Sequence, residues 1–281
     1  MKLKIFIVIV AVVLAWVAGR SIKSGGQAIV HSVQQEAQGN ETAQPGGAES
    51  GANERRINES YELADGAQVD VHGINGPVTI EAVDGNTAEV QVTSTAGSMS
   101  DLDAHQIIVE HTESSLVVRG KGGSGGGFWR WLRGGGNARH KVLLKLPRRV
   151  ELALSGTNGR VSIGETEGST RISGVNGRVE MGGAHGLTEI SGVNGGVALT
   201  VLELSESGLE VSGVNGSVEL RLGSGVNADL KLNSINGRMT LEAPNVEVQE
   251  QKRDKLRARI GTGGSEIKCS GINGGVRLVG V

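Results

Sequence analysis

Glu189 and Glu210 stand 21 residues apart at equivalent places in a repeat, so a stacked fold would set them side by side. Glycoside cleavage needs such a pair, an acid and a second carboxylate roughly 5–10 Å apart. Arg171 and Lys231 flank them in the same column. That alternation reads more simply as a ladder of opposite charges on a solvated face. Asp101 and Asp103 lie in a polar stretch and read as turn formers.

The six histidines are His31, His72, His105, His111, His140 and His185. No two of them show helical metal-ligand spacing, and none has a cysteine partner. His105 and His111 lie close to Asp103 and Glu110, the one grouping with ligand-like residue types. Cys269 is the lone cysteine. It replaces an aliphatic residue in an apolar column, which makes it a core thiol rather than a nucleophile. No Ser/His/Asp arrangement and no phosphate-cradling glycine motif is recognisable. The sequence therefore predicts no catalytic residue, no cofactor, no metal and no enzymatic activity.

One segment suits contact rather than catalysis. Between Gly120 and Gly136, glycine-rich flanks enclose Phe128, Trp129, Arg130, Trp131 and Arg133. Half of the aromatic residues in the chain sit here. An aromatic and basic tip fits a membrane interface, an anionic glycan or a partner groove. A tip folded back as a cap over an open end of the fold is the structural alternative. A second charged stretch, Glu247 to Arg259, reads as a solvated strand extension or loop, with an electrostatic docking strip as the sharper option.

The elements that must carry these groups come from a repeat. Asn-Gly pairs recur at Asn158-Gly159, Asn176-Gly177, Asn194-Gly195, Asn215-Gly216, Asn236-Gly237 and Asn273-Gly274, with an earlier copy at Asn75-Gly76. Successive asparagines from Asn158 onward are 18, 18, 21, 21 and 37 residues apart. The last gap is close to two periods, which predicts one rung without the motif. After each corner the chain alternates, as in Val161/Ile163, Val179/Met181, Val197/Leu199 and Val218/Leu220, with mostly polar residues between. This is a strand with one buried face. Before the corners, Ile172, Ile190, Val211, Leu232 and Cys269 hold equivalent slots.

One 18-residue rung buries four or five aliphatic side chains, each contributing about 1.5–3 kcal/mol. Ordering its backbone costs about 1–2 kcal/mol per residue, so a rung is stable only when stacked on others. The fold expected is an all-β, single-stranded β-helix (a β-solenoid) with rungs of 18–21 residues, preceded by an irregular β-rich lead-in. Six intervals from Asn158 to Asn273 would span roughly 29 Å. The alternative is an antiparallel meander, because Asn-Gly is also a strong hairpin signal. Asn and Gly both tolerate the left-handed backbone of a sharp corner. The asparagines would either stack as an amide ladder or satisfy the turn backbone. A hairpin is expected from Gln106 to Gly120.

Three further segments accompany the Asn-Gly rungs: His140 to Pro147 (HKVLLKLP), Val150 to Ser155 (VELALS), and Ile260 to Lys268 (IGTGGSEIK) before the last corner. With these pieces in this order, the chain from Tyr61 to Val281 resembles the bacterial putative-adhesin, β-strand-repeat domains of unknown function. The resemblance implies a one-stranded β-helix in a cell-envelope setting and supplies no activity or catalytic residue.

Composition agrees. Glycine numbers 46 and proline 4 in 281 residues, without a Gly-X-Y period, so collagen is excluded. A net charge of −2 argues against a general nucleic-acid binder. The N-terminus has Lys2 and Lys4, an apolar run from Ile5 to Ala18, then Arg20 and Lys23. It reads as a secretory signal, or as a membrane anchor through residues 3–19. Residues 1–23 are thus a signal or anchor helix and 24–58 a flexible linker. Residues 59–150 are the β-rich lead-in carrying the loop 120–136, and 151–281 are the regular repeats. The expected location is the cell envelope, periplasmic or extracellular. The expected role is a non-catalytic structural, adhesion or interaction scaffold, with a carbohydrate-binding or carbohydrate-active solenoid as the alternative. Partners would be a membrane surface, an envelope protein or a glycan, and end-to-end self-assembly follows if the ends are uncapped.

Overall fold

The computed structural model describes residues 53–121 and 138–281. The signal or anchor, the linker up to residue 52, and Phe128, Trp129, Arg130, Trp131 and Arg133 lie outside them. Among the described residues no helix is long and apolar enough to cross a membrane. The protein is all-β, with its strands in two large mixed sheets of 10 and 11 strands.

The middle of the chain alternates between these sheets. One sheet takes β8 (Glu151–Thr157), β10 (Thr170–Val175), β12 (Thr188–Val193) and β14 (Leu209–Val214). The other takes β9 (Val161–Thr166), β11 (Val179–Ala184), β13 (Val197–Val201) and β15 (Val218–Leu222). Neighbours are parallel and in register: Ile172 pairs with Leu154 and Ile190, and Val179 pairs with Val161 and Val197. Each Asn-Gly corner therefore links a strand of one sheet to a strand of the other, and none closes a hairpin. The inward residues of both sheets, Ile172, Ile190, Val211, Val179, Leu199 and Leu220 among them, form one continuous buried cluster.

At the C-terminal end the spatial order departs from the chain order. β16 (Ala228–Ile235) and β17 (Met239–Glu242) follow β15 in sequence. They do not pair with β14 and β15. The last coil, β20 (Glu266–Ile272) and β21 (Val276–Gly280), lies between them, with Val211 against Cys269 and Cys269 against Leu232. This corrects the expectation of a rung without its motif in the 37-residue gap. That gap holds an antiparallel hairpin, β18 (Val246–Gln251) and β19 (Lys255–Ile260), which extends the sheet beyond β16. Five intervals, rather than six, separate the corner of Asn158 from the outermost one at Asn236, about 24 Å at the usual strand spacing.

The lead-in is built the same way. β2 (Gln68–His72) and β3 (Val78–Val83) stack on β8 and β9. The next coil in sequence, β6 (Ser115–Gly120) and β7 (Arg139–Pro147), lies outside them. Antiparallel strands finish this end: β4 (Thr87–Ala96) on β7, β1 (Asn53–Glu62) on β4, and β5 (Ile107–Thr112) on β6. The last pair is the hairpin expected from Gln106 to Gly120. Residues 53–58, assigned to the linker by composition, begin β1. Asp101 and Asp103, read as turn formers, belong to a short helix, α1 (Met99–Ala104), where the Ser98 hydroxyl accepts from the Asp101 amide as N-cap.

The corners use their residues differently from the expectation. The left-handed position is two residues before each asparagine, as at Gly174 with φ 62°. Only at the corner of Asn236 is it not glycine, and there Ser234 adopts φ 56°. The glycine after the asparagine has a different task. A Cβ on Gly177 would stand 2.2 Å from the carbonyl oxygen of Gly159 in the coil beneath, a distance no side chain tolerates. Gly159, Gly195, Gly216, Gly237 and Gly274 repeat this contact, each against the coil it stacks on. Close approach of stacked backbones, rather than turn conformation, demands glycine there.

Candidate functional site

Along the corner edge the asparagine side chains form a single hydrogen-bonded file. Asn236 Nδ2 donates to Asn273, Asn273 to Asn215, Asn215 to Asn194, Asn194 to Asn176, Asn176 to Asn158 and Asn158 to Asn75, each onto Oδ1 at 2.9–3.0 Å. Asn75 ends the file by donating to the Ala138 carbonyl at 2.8 Å. Of the two readings of the asparagines, the ladder is the one present. All its amides point the same way, so each bond polarises the next. Asn158 through Asn273 are solvent-exposed. One amide hydrogen and one lone pair per residue are left over by the ladder.

Two columns run along the outward face of the sheet containing β8. The first is Ala153, Arg171, Glu189, Glu210, Lys268 and Lys231. Glu189 and Glu210 are adjacent, as their spacing predicts. Arg171 Nε donates to Glu189 at 3.2 Å and Lys268 Nζ to Glu210 at 2.7 Å. The cation beside Glu210 is thus Lys268 and not Lys231, because the last coil is inserted there. Lys231 pairs with Glu266 instead. The column is a ladder of mutually neutralised charges on an open face. The second column is Ser155, Ser173, Ser191, Ser212 and Ser270, continued by Asn233. It presents a small polar group on six successive coils, and the Ser-Gly that precedes five of the corners marks it in the sequence.

The opposite sheet carries a shallow depression of about 290 Å³. Its floor is bare because Gly182 and Ala198 project little, and Ser162, Thr200, Arg178 and Arg221 surround it. Arg178 pairs with Glu180 and Arg221 with Glu219, both at 2.7 Å, so its charges are balanced.

The charged stretch from Glu247 to Arg259 is the β18–β19 hairpin. Glu250 gathers Lys252, Lys255 and Arg257 at 2.7, 3.0 and 3.6 Å, and Arg259 meets Asp229 at 3.6 Å. Hydrogen bonds from Lys252 and Lys255 hold the Glu250 carboxyl down at about 2. The strand-extension reading describes this segment, and most of its cations are answered within the fold.

The histidines are dispersed. His111 stacks on Tyr61 with ring centroids 4.5 Å apart, and its Nε2 lies 3.0 Å from the Glu62 carbonyl. His105 Nδ1 lies 3.0 Å from the Asp101 carbonyl at the end of α1. They are not brought together with Asp103 or Glu110, which pair with Arg55 and Arg119. Among the described residues no group of histidine, cysteine and carboxylate side chains could hold a metal ion. Among the described residues His140 is the one buried histidine, 4% exposed, with Nδ1 2.8 Å from the Ser94 hydroxyl. Burial, reinforced by His105, pushes it down to about 4. Its strand pattern in the sequence does not reveal this contact, which depends on β4 pairing with β7 so that Ser94 stands beside it. Cys269 is wholly buried, and burial followed by the charge of Glu210 pushes its thiol up to about 12. The core-thiol reading agrees with this position.

No protein-family model matches the chain, and no curated protein matches it. Among solved structures it is similar to a putative cell adhesion protein from Clostridium sporogenes, with 11% identity over 81% of this chain and 100% of that one, at a TM-score of 0.36. It is also similar to a putative adhesin from Bacteroides fragilis, with 10% identity over 80% and 97% of the two chains, TM-score 0.30. A third is a putative adhesin from Parabacteroides merdae, with 11% identity over 80% and 96%, TM-score 0.29.

Proposed function

We propose that the chain is a β-solenoid of the cell envelope that acts as a non-catalytic interaction or adhesion scaffold. The observation that carries this reading is the register. Parallel coils repeat their outward residues at one strand spacing, so serine, charge and asparagine columns form extended arrays with no deep cleft between them. Arrays of this kind favour many weak, simultaneous contacts over one tight site. The apolar run at residues 5–18, between basic flanks, supports export or anchoring, and the aromatic and basic segment 128–133 supports contact with a membrane surface, an envelope protein or a glycan. Nothing in the charge balance favours nucleic acid.

The second reading is a carbohydrate-binding solenoid, favoured by the depression floored by Gly182 and Ala198. One experiment separates the two and tests both against catalysis. Beads coated with the full chain are assayed for retention on bacterial envelopes, with soluble envelope polysaccharides tested in parallel for binding and for release of new reducing ends. The scaffold reading predicts retention that falls when Ser173, Ser191 and Ser212 are all changed to Lys. Retention lost instead on Gly182→Trp selects the carbohydrate reading. Reducing ends that disappear in Glu189→Gln or Glu210→Gln would refute the non-catalytic assignment.

A further inference from the structure

The order of coils at the C-terminal end has a consequence for how two copies of the chain can meet. The coil of residues 266–280 follows all the other described strands in sequence, yet it lies in the interior of the stack. Both of its strands are hydrogen-bonded along both edges, β20 to β14 and β16, and β21 to β15 and β17. Its inward residues Ile267, Cys269, Ile272, Val276 and Leu278 are all buried. It fills a slot whose two walls are laid down by earlier parts of the chain.

Three further features make that slot separable from its occupant. The segment entering it contains Gly261, Gly263 and Gly264, the first two with φ of 59° and 78°, so the backbone there can turn readily. It is tied to the rest of the fold by few bonds: Asn227 Oδ1 accepts from the Thr262 amide at 2.9 Å and from its hydroxyl at 3.1 Å, the Gly261 amide donates to the Asn245 carbonyl at 2.9 Å, and the Ser265 carbonyl accepts from the Asp229 amide at 3.1 Å. The walls of the slot also match each other. Leu209, Val211 and Val214 on β14 stand 21 residues from Leu230, Leu232 and Ile235 on β16, the same separation as between the coils of Asn194 and Asn215. If the last coil leaves, β16 can close on β14 in a register that keeps each apolar column and sets Lys231 opposite Glu210. Departure does not have to expose a gap.

We propose that the C-terminal coil is an exchangeable insert, able to seat in the slot of a second copy of this chain and so to form a reciprocal, strand-exchanged dimer. In such a dimer every contact of the coil is kept and only the path of residues 261–265 changes. This is the condition under which swapping costs little and is driven by concentration. The buried Cys269 supplies a reporter, since its thiol is reached only when the coil moves.

The test uses the full chain. Under native conditions Cys269 is expected to react with a thiol reagent at least about tenfold faster than global unfolding allows, through local opening of the last coil. In parallel, two Cys269→Val chains, one carrying Ser212→Cys and the other Ser270→Cys, are mixed at high concentration and oxidised. These positions are register partners across the slot, and parallel neighbours lie about 4.8 Å apart, within the roughly 4.4–6.8 Å that a disulfide spans. Covalent dimers of 212 to 270 are expected in clear excess over a control that pairs Ser212→Cys with Ser155→Cys. Reaction of Cys269 only at the global unfolding rate, or dimers no more abundant than the control, would overturn the proposal.

Discussion

The four coils from β8 to β15 and the two ends of the stack bury the same kinds of residue by different means. In the middle, chain order and spatial order agree, every pairing is parallel, and each corner repeats the Gly-x-Asn-Gly pattern. At both ends the chain skips a place. β6 and β7 lie outside β2 and β3, while β20 and β21 lie inside β16 and β17. Antiparallel strands then finish three of the four sheet edges: β1 and β4, β5, and the β18–β19 hairpin. In the fourth, β17 is a four-residue edge. A strand as short as β17 offers little edge for further pairing. Periodicity builds the interior, whereas the ends depend on local exceptions to it.

The largest expected effect tests the tight stacking of the middle. Gly177→Ala should lower stability by about 3 kcal/mol, since its Cβ meets the Gly159 backbone. Gly97→Ala, at a place with open space around it, should change stability by less than about 0.5 kcal/mol. Urea denaturation of both variants reads the contrast, and equal losses would break it.

The second effect belongs to the N-terminal end. His140 has a folded pKa of about 4, below the ordinary value of 6.5, so the folded state holds it neutral. The stability this contributes is fully present above pH 6.5 and is lost as pH falls toward 4. Between pH 6.5 and 5 the loss should reach about 1.5 kcal/mol. His140→Gln should flatten that slope in denaturation curves taken across the interval.

Third, the ladder should distinguish interior from terminal amides. Asn194→Ala breaks two side-chain bonds and leaves its neighbours unmatched, costing about 1–2 kcal/mol, while Asn236→Ala at the end breaks one and costs about half as much. The smallest effects are gains. Thr157 places a buried hydroxyl without a hydrogen-bond partner in a corner column otherwise held by Val and Ile, so Thr157→Val should stabilise by about 1 kcal/mol. Ser234→Gly should relieve the left-handed serine and gain about 0.5 kcal/mol. Calorimetric melting would register both as rises in Tm.

The regular half of this architecture was legible in the sequence because one signal, alternation tied to a fixed corner, determined strand, face and register together. Ile172, Ile190 and Val211 are aligned by counting alone. The inserted last coil was not legible, since the patterns of β16 and β20 fit β14 equally well and counting cannot choose between them. The pairing of Glu210 with Lys268 was hidden for the same reason. The β1 residues 53–58 read as linker because an outermost strand alternates weakly, with only Ile57 and Tyr61 packing inward. The short helix after Ser98 is too brief to show a period. The adjacency of Glu189 and Glu210 follows from counting, while the contact of His140 with Ser94 needed the fold.

The central claim, a parallel stack with its last coil out of sequence order, can be tested directly by through-hydrogen-bond scalar couplings in the labelled protein. The Asn273 amide bonds the Val214 carbonyl at 2.8 Å, and the Asn236 amide bonds the Ile272 carbonyl at 2.8 Å. A coupling from the Asn273 nitrogen to the Val214 carbonyl carbon is the predicted result. A dominant coupling from the Asn236 nitrogen to Val214 would mean that the coils stack in simple chain order, and would contradict the account.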